Sequence, residues 1–189
     1  MADDTDQQLV DRVLGGDKNA FNLLVLRYQH RVAALVGRFV HDRQEAEDVC
    51  QEAFIKAYRA LSLFRGDSAF YTWLYRIAVN TAKNYLVSRN RRPPSSDLNY
   101  EEAESIDDGG LLQEIENPES SLLTAKLEEV IHAAIAELPE DLRTAFTLRE
   151  FAGLSYEDIT EIMNCPVGTV RSRIFRAREA IDKKIKDLQ

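Results

Sequence analysis

The sequence predicts an all-α protein: two helical domains joined by a flexible acidic linker. Helix caps and stop signals recur along the chain, whereas the alternation expected of strands is nearly absent. Apolar residues return every three or four positions in the segments between those signals. Residues 93–120 break the pattern, with two opening prolines, a Gly109-Gly110 pair, and nine acids without one Lys or Arg. That composition marks a linker and places the domains at 1–92 and 121–189.

In the first domain, Thr5 and Gln8 have capping-box spacing for a short helix that Gly15 and Gly16 stop. Asp17 can cap a long helix to about Val40, because Phe21, Leu24, Val25, Tyr28, Val32, Leu35, Val36 and Phe39 hold the helical period. Asp42 can cap the next helix, reaching Leu61, and a loop over 64–68 leads to a helix through Trp73 to about Ser88. In the second domain Asn117-Pro118-Glu119 supplies a cap, a first-turn proline and an acid that suits the helix dipole. Helices are expected near 119–137, 140–151, 156–163 and 168–187, with Leu138-Pro139 separating the first two and Gly153 ending the second. No internal repeat is visible.

A chain of 189 residues, 44% of them hydrophobic, suits one or two ordinary domains. No apolar run approaches the ~18 residues that cross a bilayer. Met1-Ala2-Asp3-Asp4 is acidic where a signal peptide is basic, so a cytoplasmic location is expected. Cys50 and Cys165 have no Cys or His neighbours at ligand spacing, so neither a metal site nor a structural disulfide is expected. His30, His41 and His132 stand singly, and there is no Gly-rich phosphate loop or nucleophile–base set. An enzyme is therefore set aside, and no cofactor is expected.

From Phe54 to Arg92 the chain packs half of its aromatic residues among eight Lys/Arg and a single acid, Asp67, although its formal charge is −8 overall. Aromatic faces stack on unpaired bases and interleaved cations hold phosphates, so the segment suits single-stranded nucleic acid. On a helical wheel Leu74, Ile77, Ala78, Thr81, Ala82, Tyr85 and Leu86 share one side; Trp73, Arg76, Asn80, Lys83 and Asn84 take the other. Trp73 is thus either a rim residue capping a small core or a platform for a ligand.

Residues 155–179 read SYEDITEIMNCPVGTVRSRIFRARE and have the layout of a helix-turn-helix. Ser155 and Asp158 form a capping box, Ile159, Ile162 and Met163 an apolar face, and Asn164-Cys165-Pro166 a turn. On the second helix Val170, Ile174, Ala177, Ile181 and Ile185 make a narrow core stripe, leaving Arg171, Ser172, Phe175 and Arg176 off it. Phe175 could cover a base methyl, the two arginines could reach guanine edges or phosphates, and Thr169 with the helix N-terminus suits a phosphate. A plain helical hairpin with a solvated Arg-rich face is the alternative.

Asp48, Gln51 and Glu52 share one helix face while Val49, Ala53, Ala57 and Leu61 turn inward. Such a face can be simply solvated or can dock a cationic protein surface. The string Asp48-Val49-Cys50-Gln51-Glu52-Ala53-Phe54 resembles region 2.2 of bacterial sigma factors, with Cys50 where a small residue such as Ala or Val is usual. Phe64 through Phe70-Tyr71-Thr72-Trp73-Leu74-Tyr75-Arg76-Ile77-Ala78 to Asn80 is similar to regions 2.3 and 2.4. Leu138-Pro139-Glu140-Asp141-Leu142-Arg143 with the helix-turn-helix is similar to region 4. Nearly the whole chain is covered, without room for regions 1.1 or 3, which is the layout of the extracytoplasmic-function group. The wording is close to its sigma-E (AlgU-like) members.

The resemblance implies core RNA polymerase as partner, through its β′ clamp helices, which Asp48, Gln51 and Glu52 would meet, and its β flap. It implies that Phe64, Ser68, Ala69, Phe70, Tyr71, Trp73, Arg76, Asn80 and Lys83 open the promoter minus-10 element. A flipped base would then sit near the 64–70 loop, with Asn80 beside it. Thr169, Arg171, Ser172, Phe175 and Arg176 would read a GGAAC-type minus-35 element of promoter DNA. The linker would thread the polymerase interior, and an anti-sigma factor, often membrane-anchored in this family, would hold the protein inactive. A stand-alone helix-turn-helix regulator of duplex operators is the competing function; it accounts for 155–179 but leaves the Trp73 face without a purpose.

Overall fold

The computed structural model describes residues 4–91 and 130–186, which fall into two compact helical units. In the first unit, α1 (Asp6–Leu14) opens on the expected box: the Thr5 side chain accepts from the Gln8 amide, and the Gln8 side chain accepts from the Thr5 amide at 2.8 Å. Gly16 then takes φ +101°, a conformation that an L side chain strains to reach. Asp17 caps α2 (Lys18–Gly37), and Asp42 caps α3 (Arg43–Ala60), which tightens into a 3-10 turn at Leu61–Leu63. The last helix of the unit is α4 (Phe70–Arg91).

Two ends differ from the sequence reading. α2 stops at Gly37 rather than near Val40, because Arg38, Phe39 and Val40 bond back to Leu35 and Val36 in a tight turn. That turn keeps Phe39 and Val40 buried, so the apolar period outlasts the helix. α4 runs past Ser88 to Arg91, and Arg89 Nη1 reaches Glu45 Oε2 of α3 at 2.8 Å.

α4 packs against both α2 and α3. Its buried arc is therefore wider than one stripe and takes in Tyr75 and Val79 as well as Leu74, Ala78, Thr81 and Ala82; Ile77, Tyr85 and Leu86 are half-buried. Ala53 and Ala57 of α3 and Ala78 and Ala82 of α4 are fully buried, and their short side chains let the two helices approach closely.

In the second unit the first described helix, α5, covers 130–137. The linker at 93–120 and the expected start at Asn117-Pro118-Glu119 lie outside the described residues. Pro139 stands at the N-cap of α6 (Glu140–Glu150), and Gly153 turns the chain at φ +66°. α7 (Tyr156–Met163) begins on the Ser155–Asp158 box and ends on Asn164 in the left-handed region, φ +48°. α8 (Val167–Lys186) follows. Ala134, Ile135, Leu138, Leu142, Ala177 and Ile181 form one core where α5, α6 and α8 meet. Leu148, Ile159, Ile162, Val170 and Ile174 are also buried, seating α7. Among the described residues no helix is long and apolar enough to cross a membrane.

Two outcomes follow from this packing. Ser155→Ala removes one half of a reciprocal cap and is expected to lower the stability of the second unit by about 1 kcal/mol, read from its urea midpoint. Burial pushes the Cys50 thiol up from 9.0 to about 11, with Glu47 adding to the effect. The unfolded thiol ionises first as pH rises, so the stability this group contributes is whole below about 9 and lost towards about 11. Peptide-resolved alkylation of native protein should show Cys50 reacting with a midpoint near the higher value.

Candidate nucleic-acid and partner surfaces

The 64–69 loop and the first turns of α4 bring three rings together. Phe64 and Trp73 lie 5.2 Å apart between centroids, Phe64 and Phe70 5.8 Å, and Phe70 and Trp73 5.7 Å. Phe64 and Trp73 are half-buried, but Phe70 is only 4% exposed and rests on the Tyr28 ring of α2 at 5.7 Å. Phe70 therefore differs from the expectation that it offers a face to DNA: it begins α4 on the bundle side and acts as the floor under the other two rings. Ala69 is exposed and Ser68 half-buried beside them in sequence. Tyr71 belongs to a different pair, edge-on to Tyr75 at 6.2 Å.

Along α4 the positions of Trp73, Arg76, Asn80 and Lys83 are spaced three or four apart and so share a face. Arg76 and Asn80 are exposed and Lys83 is half-buried. Asn80 stands two turns beyond Trp73, about 10 Å along the axis. The sequence alternatives for Trp73 merge here: it is a rim residue, and its outer part stays open next to a polar, cationic stripe.

On α3, Asp48, Gln51 and Glu52 are all exposed, as their spacing predicted. Glu52 is paired with Lys56 at 2.8 Å, so part of its charge is balanced within the helix. Cys50 is half-buried on another side and leaves this face unchanged.

The helix-turn-helix presents Arg171, Ser172, Phe175 and Arg176 to solvent, with Phe175 61% exposed, and keeps Thr169 half-buried at the start of α8. The Ser172 hydroxyl donates to the Thr169 carbonyl at 2.9 Å, which commits its proton and leaves its oxygen as an acceptor. The four arginines of this stretch divide in two. Arg173 binds Asp141 at 2.5 Å and donates to Cys165 Sγ at 3.3 Å, and Arg178 binds Glu150 at 2.5 Å, so both staple α8 to its neighbours. Arg176 has no ion pair among the described residues, and Arg171 lies over the Tyr156 ring at 5.5 Å.

Sequence reasoning passed over Tyr156, which also carries the Arg149 guanidinium at 4.8 Å, itself anchored on the Leu154 carbonyl at 2.7 Å. An aromatic residue directly after an N-cap serine was the available signal. Tyr28 was read only as part of an apolar stripe, and nothing in the sequence marks it as the support of Phe70.

Comparison with known proteins bears on both units. Residues 24–92 match Sigma-70 region 2, and residues 128–181 match Sigma-70, region 4. The RNA polymerase sigma-H factor of Pseudomonas aeruginosa is 65% identical over 188 residues, which cover 100% of this chain and 97% of that one. The ECF RNA polymerase sigma-E factor of Escherichia coli K12 is 66% identical over 184 residues, covering 97% and 96%. Among solved structures, CnrH in complex with the cytosolic domain of CnrY has a TM-score of 0.70 at 23% identity, covering 97% of this chain and 99% of that one. The sigma factor RpoE of Bartonella quintana, in complex with the anti-sigma factor NepR, has a TM-score of 0.65 at 24% identity, covering 88% and 96%. At these identities the two structures speak for the fold alone. Matched in both units and two-thirds identical to its relatives along nearly its whole length, the chain belongs to the extracytoplasmic-function group of sigma-70 transcription initiation factors.

Proposed function

We propose that this sigma factor carries core RNA polymerase to stress-response promoters by reading duplex with one unit and unpaired bases with the other. The observation that carries the reading is the half-open Trp73, seated on buried Phe70 and followed along α4 by Arg76, Asn80 and Lys83. Its relatives' names supply the setting: both are RNA polymerase sigma factors.

In this reading Phe175, Arg176, Ser172, Arg171 and Thr169 enter the major groove at minus 35 and hold the duplex in register. Region 2 then captures the non-template strand at minus 10, with a flipped base taken up beside the 64–69 loop. Unstacking costs a few kcal/mol per step. A chain of formal charge −8 draws little nonspecific attraction from DNA to offset that cost. The polymerase supplies the rest, gripping Asp48, Gln51 and Glu52 with its β′ clamp helices and region 4 with its β flap. The nine acids at 93–120 suit the polymerase's basic nucleic-acid channel rather than the promoter.

Regulation by an anti-sigma factor, membrane-anchored and covering the polymerase-binding faces, fits the same surfaces; CnrH was solved with the cytosolic domain of CnrY and the Bartonella RpoE with the anti-sigma factor NepR. The protein would then work in the cytoplasm, released from its inhibitor.

Run-off transcription with core polymerase is the direct test: promoter-specific initiation at GGAAC-bearing templates is expected, and tight operator binding by the chain alone would favour a stand-alone regulator instead. Trp73→Ala should slow open-complex formation about tenfold or more, the scale of one lost base–aromatic stack, and a template already unpaired at minus 10 should recover most of that loss. Arg176→Ala should cost about 1–3 kcal/mol and relax selection at one minus-35 position in footprinting titrations, leaving opening of the unpaired template untouched.

A further inference from the structure

α1 precedes the segment that matches region 2, yet it reaches the base-capture loop by two routes. Asp6 at its start accepts from Arg27 Nη1 at 2.6 Å and from the Tyr28 hydroxyl, while Arg27 Nη2 holds the Asp4 carbonyl at 2.8 Å. Tyr28 is 5% exposed, and its ring is the surface on which Phe70 lies; Phe70 in turn touches Phe64 and Trp73. Burial, with the Asp6 hydrogen bond second, raises the pKa of the Tyr28 phenol well above its ordinary value, so the hydroxyl stays a donor.

The second route runs through the neighbouring residue. Gly66, at the turn of the loop, has φ +74°, and a Cβ placed there would stand 3.4 Å from Gln7 Oε1. The Gln7 amide nitrogen donates to Asp11 Oδ1 at 2.9 Å, one turn along α1, an exposed hydrogen bond that favours this placement of its oxygen beside the glycine. Leu9 and Val10 are buried and hold α1 on the bundle. The floor of the ring cluster is thus bonded to one short helix, and the turn at Gly66 lies beside the same helix.

We propose that α1 is a positioning element for base capture: Asp6, through Tyr28 and Phe70, sets the floor beneath Phe64 and Trp73, and Gln7 sets the turn at Gly66. The proposal rests on the reading above that this loop holds a flipped minus-10 base. A loop whose floor and turn are set in advance loses less freedom when a base enters, and it rejects an ill-fitting base that a looser loop would accommodate. Base selection at minus 10 therefore depends on residues that never touch DNA.

The test uses the full chain assembled with core polymerase. Tyr28→Phe keeps the ring under Phe70 and removes only the hydroxyl that reaches Asp6; Gln7→Ala frees the turn; the third variant combines them. The quantity measured is the ratio of open-complex formation on the preferred minus-10 sequence to that on a template with the captured base replaced. The combined variant should lower this ratio about tenfold, the scale of a lost hydrogen bond to a charged group, with each single change giving less. Polymerase affinity and minus-35 dependence should stay at wild-type values when measured well below the thermal midpoint, which itself falls because a hydrogen bond to a carboxylate is lost. An unchanged ratio would overturn the proposal, as would a ratio that falls only in step with polymerase affinity. Trp73→Ala and Phe64→Ala run alongside: if they lower the ratio and the α1 variants do not, only the α1 proposal fails. If they leave it unchanged, base capture by this loop fails and the proposal with it.

Discussion

A protein that carries a formal charge of −8 repels the polymer it has to open, so every cation meant for DNA must be kept away from the protein's own carboxylates. Helical periodicity does most of this sorting. On α8 Arg173 and Arg178, on either flank of the buried stripe, bind acids of α6, while Arg176 has no ion pair among the described residues and Arg171 lies over an aromatic ring. On α3 the acids Asp48 and Glu52 are exposed, Glu52 held by Lys56, and the Trp73 stripe of α4 holds no acid between Trp73 and Lys83. The same residue type therefore serves as a staple in one place and is left for the proposed promoter contacts in another, and the difference lies in which neighbour the fold supplies.

With long-range attraction weak, recognition has to rest on short-range contact, and short-range contact needs rigid groups. The ring cluster meets that need by layering. Tyr28 and Phe70 are removed from water, which contributes about 1.5–3 kcal/mol for such a side chain, and each ring pair adds about 0.5–1.5 kcal/mol. Phe64 and Trp73 sit on this floor with part of each ring open, so little conformational freedom remains to be lost in the proposed base stacking. Region 4 follows the same rule with different chemistry: Ser172 is locked on the Thr169 carbonyl, and Tyr156 holds Arg149 and Arg171 in place by their faces.

Much of this was legible in the amino-acid order. Thr5, Asp17, Asp42 and Ser155 cap the helices they were expected to cap, and Asn164 adopts the left-handed turn before α8. The exposed set Asp48, Gln51, Glu52, Arg171, Ser172, Phe175 and Arg176 was readable for the same reason as the buried stripe of Val170, Ile174, Ala177 and Ile181. Caps and faces depend on hydrogen bonds and side-chain spacing within about four residues, and sequence records those directly.

What only the tertiary structure decided were the matters settled between distant segments. α2 ends early because Phe39 and Val40 are buried in the turn after it, and α4 runs on to where Arg89 meets Glu45 of another helix. Phe70 went inside because Tyr28 was there to receive it, and Gly66 lies under Gln7 because α1 folds back onto the bundle. Periodicity says which side of a helix seeks cover; which ring or carboxylate provides that cover depends on how the helices pack, and no window of neighbouring residues contains that information.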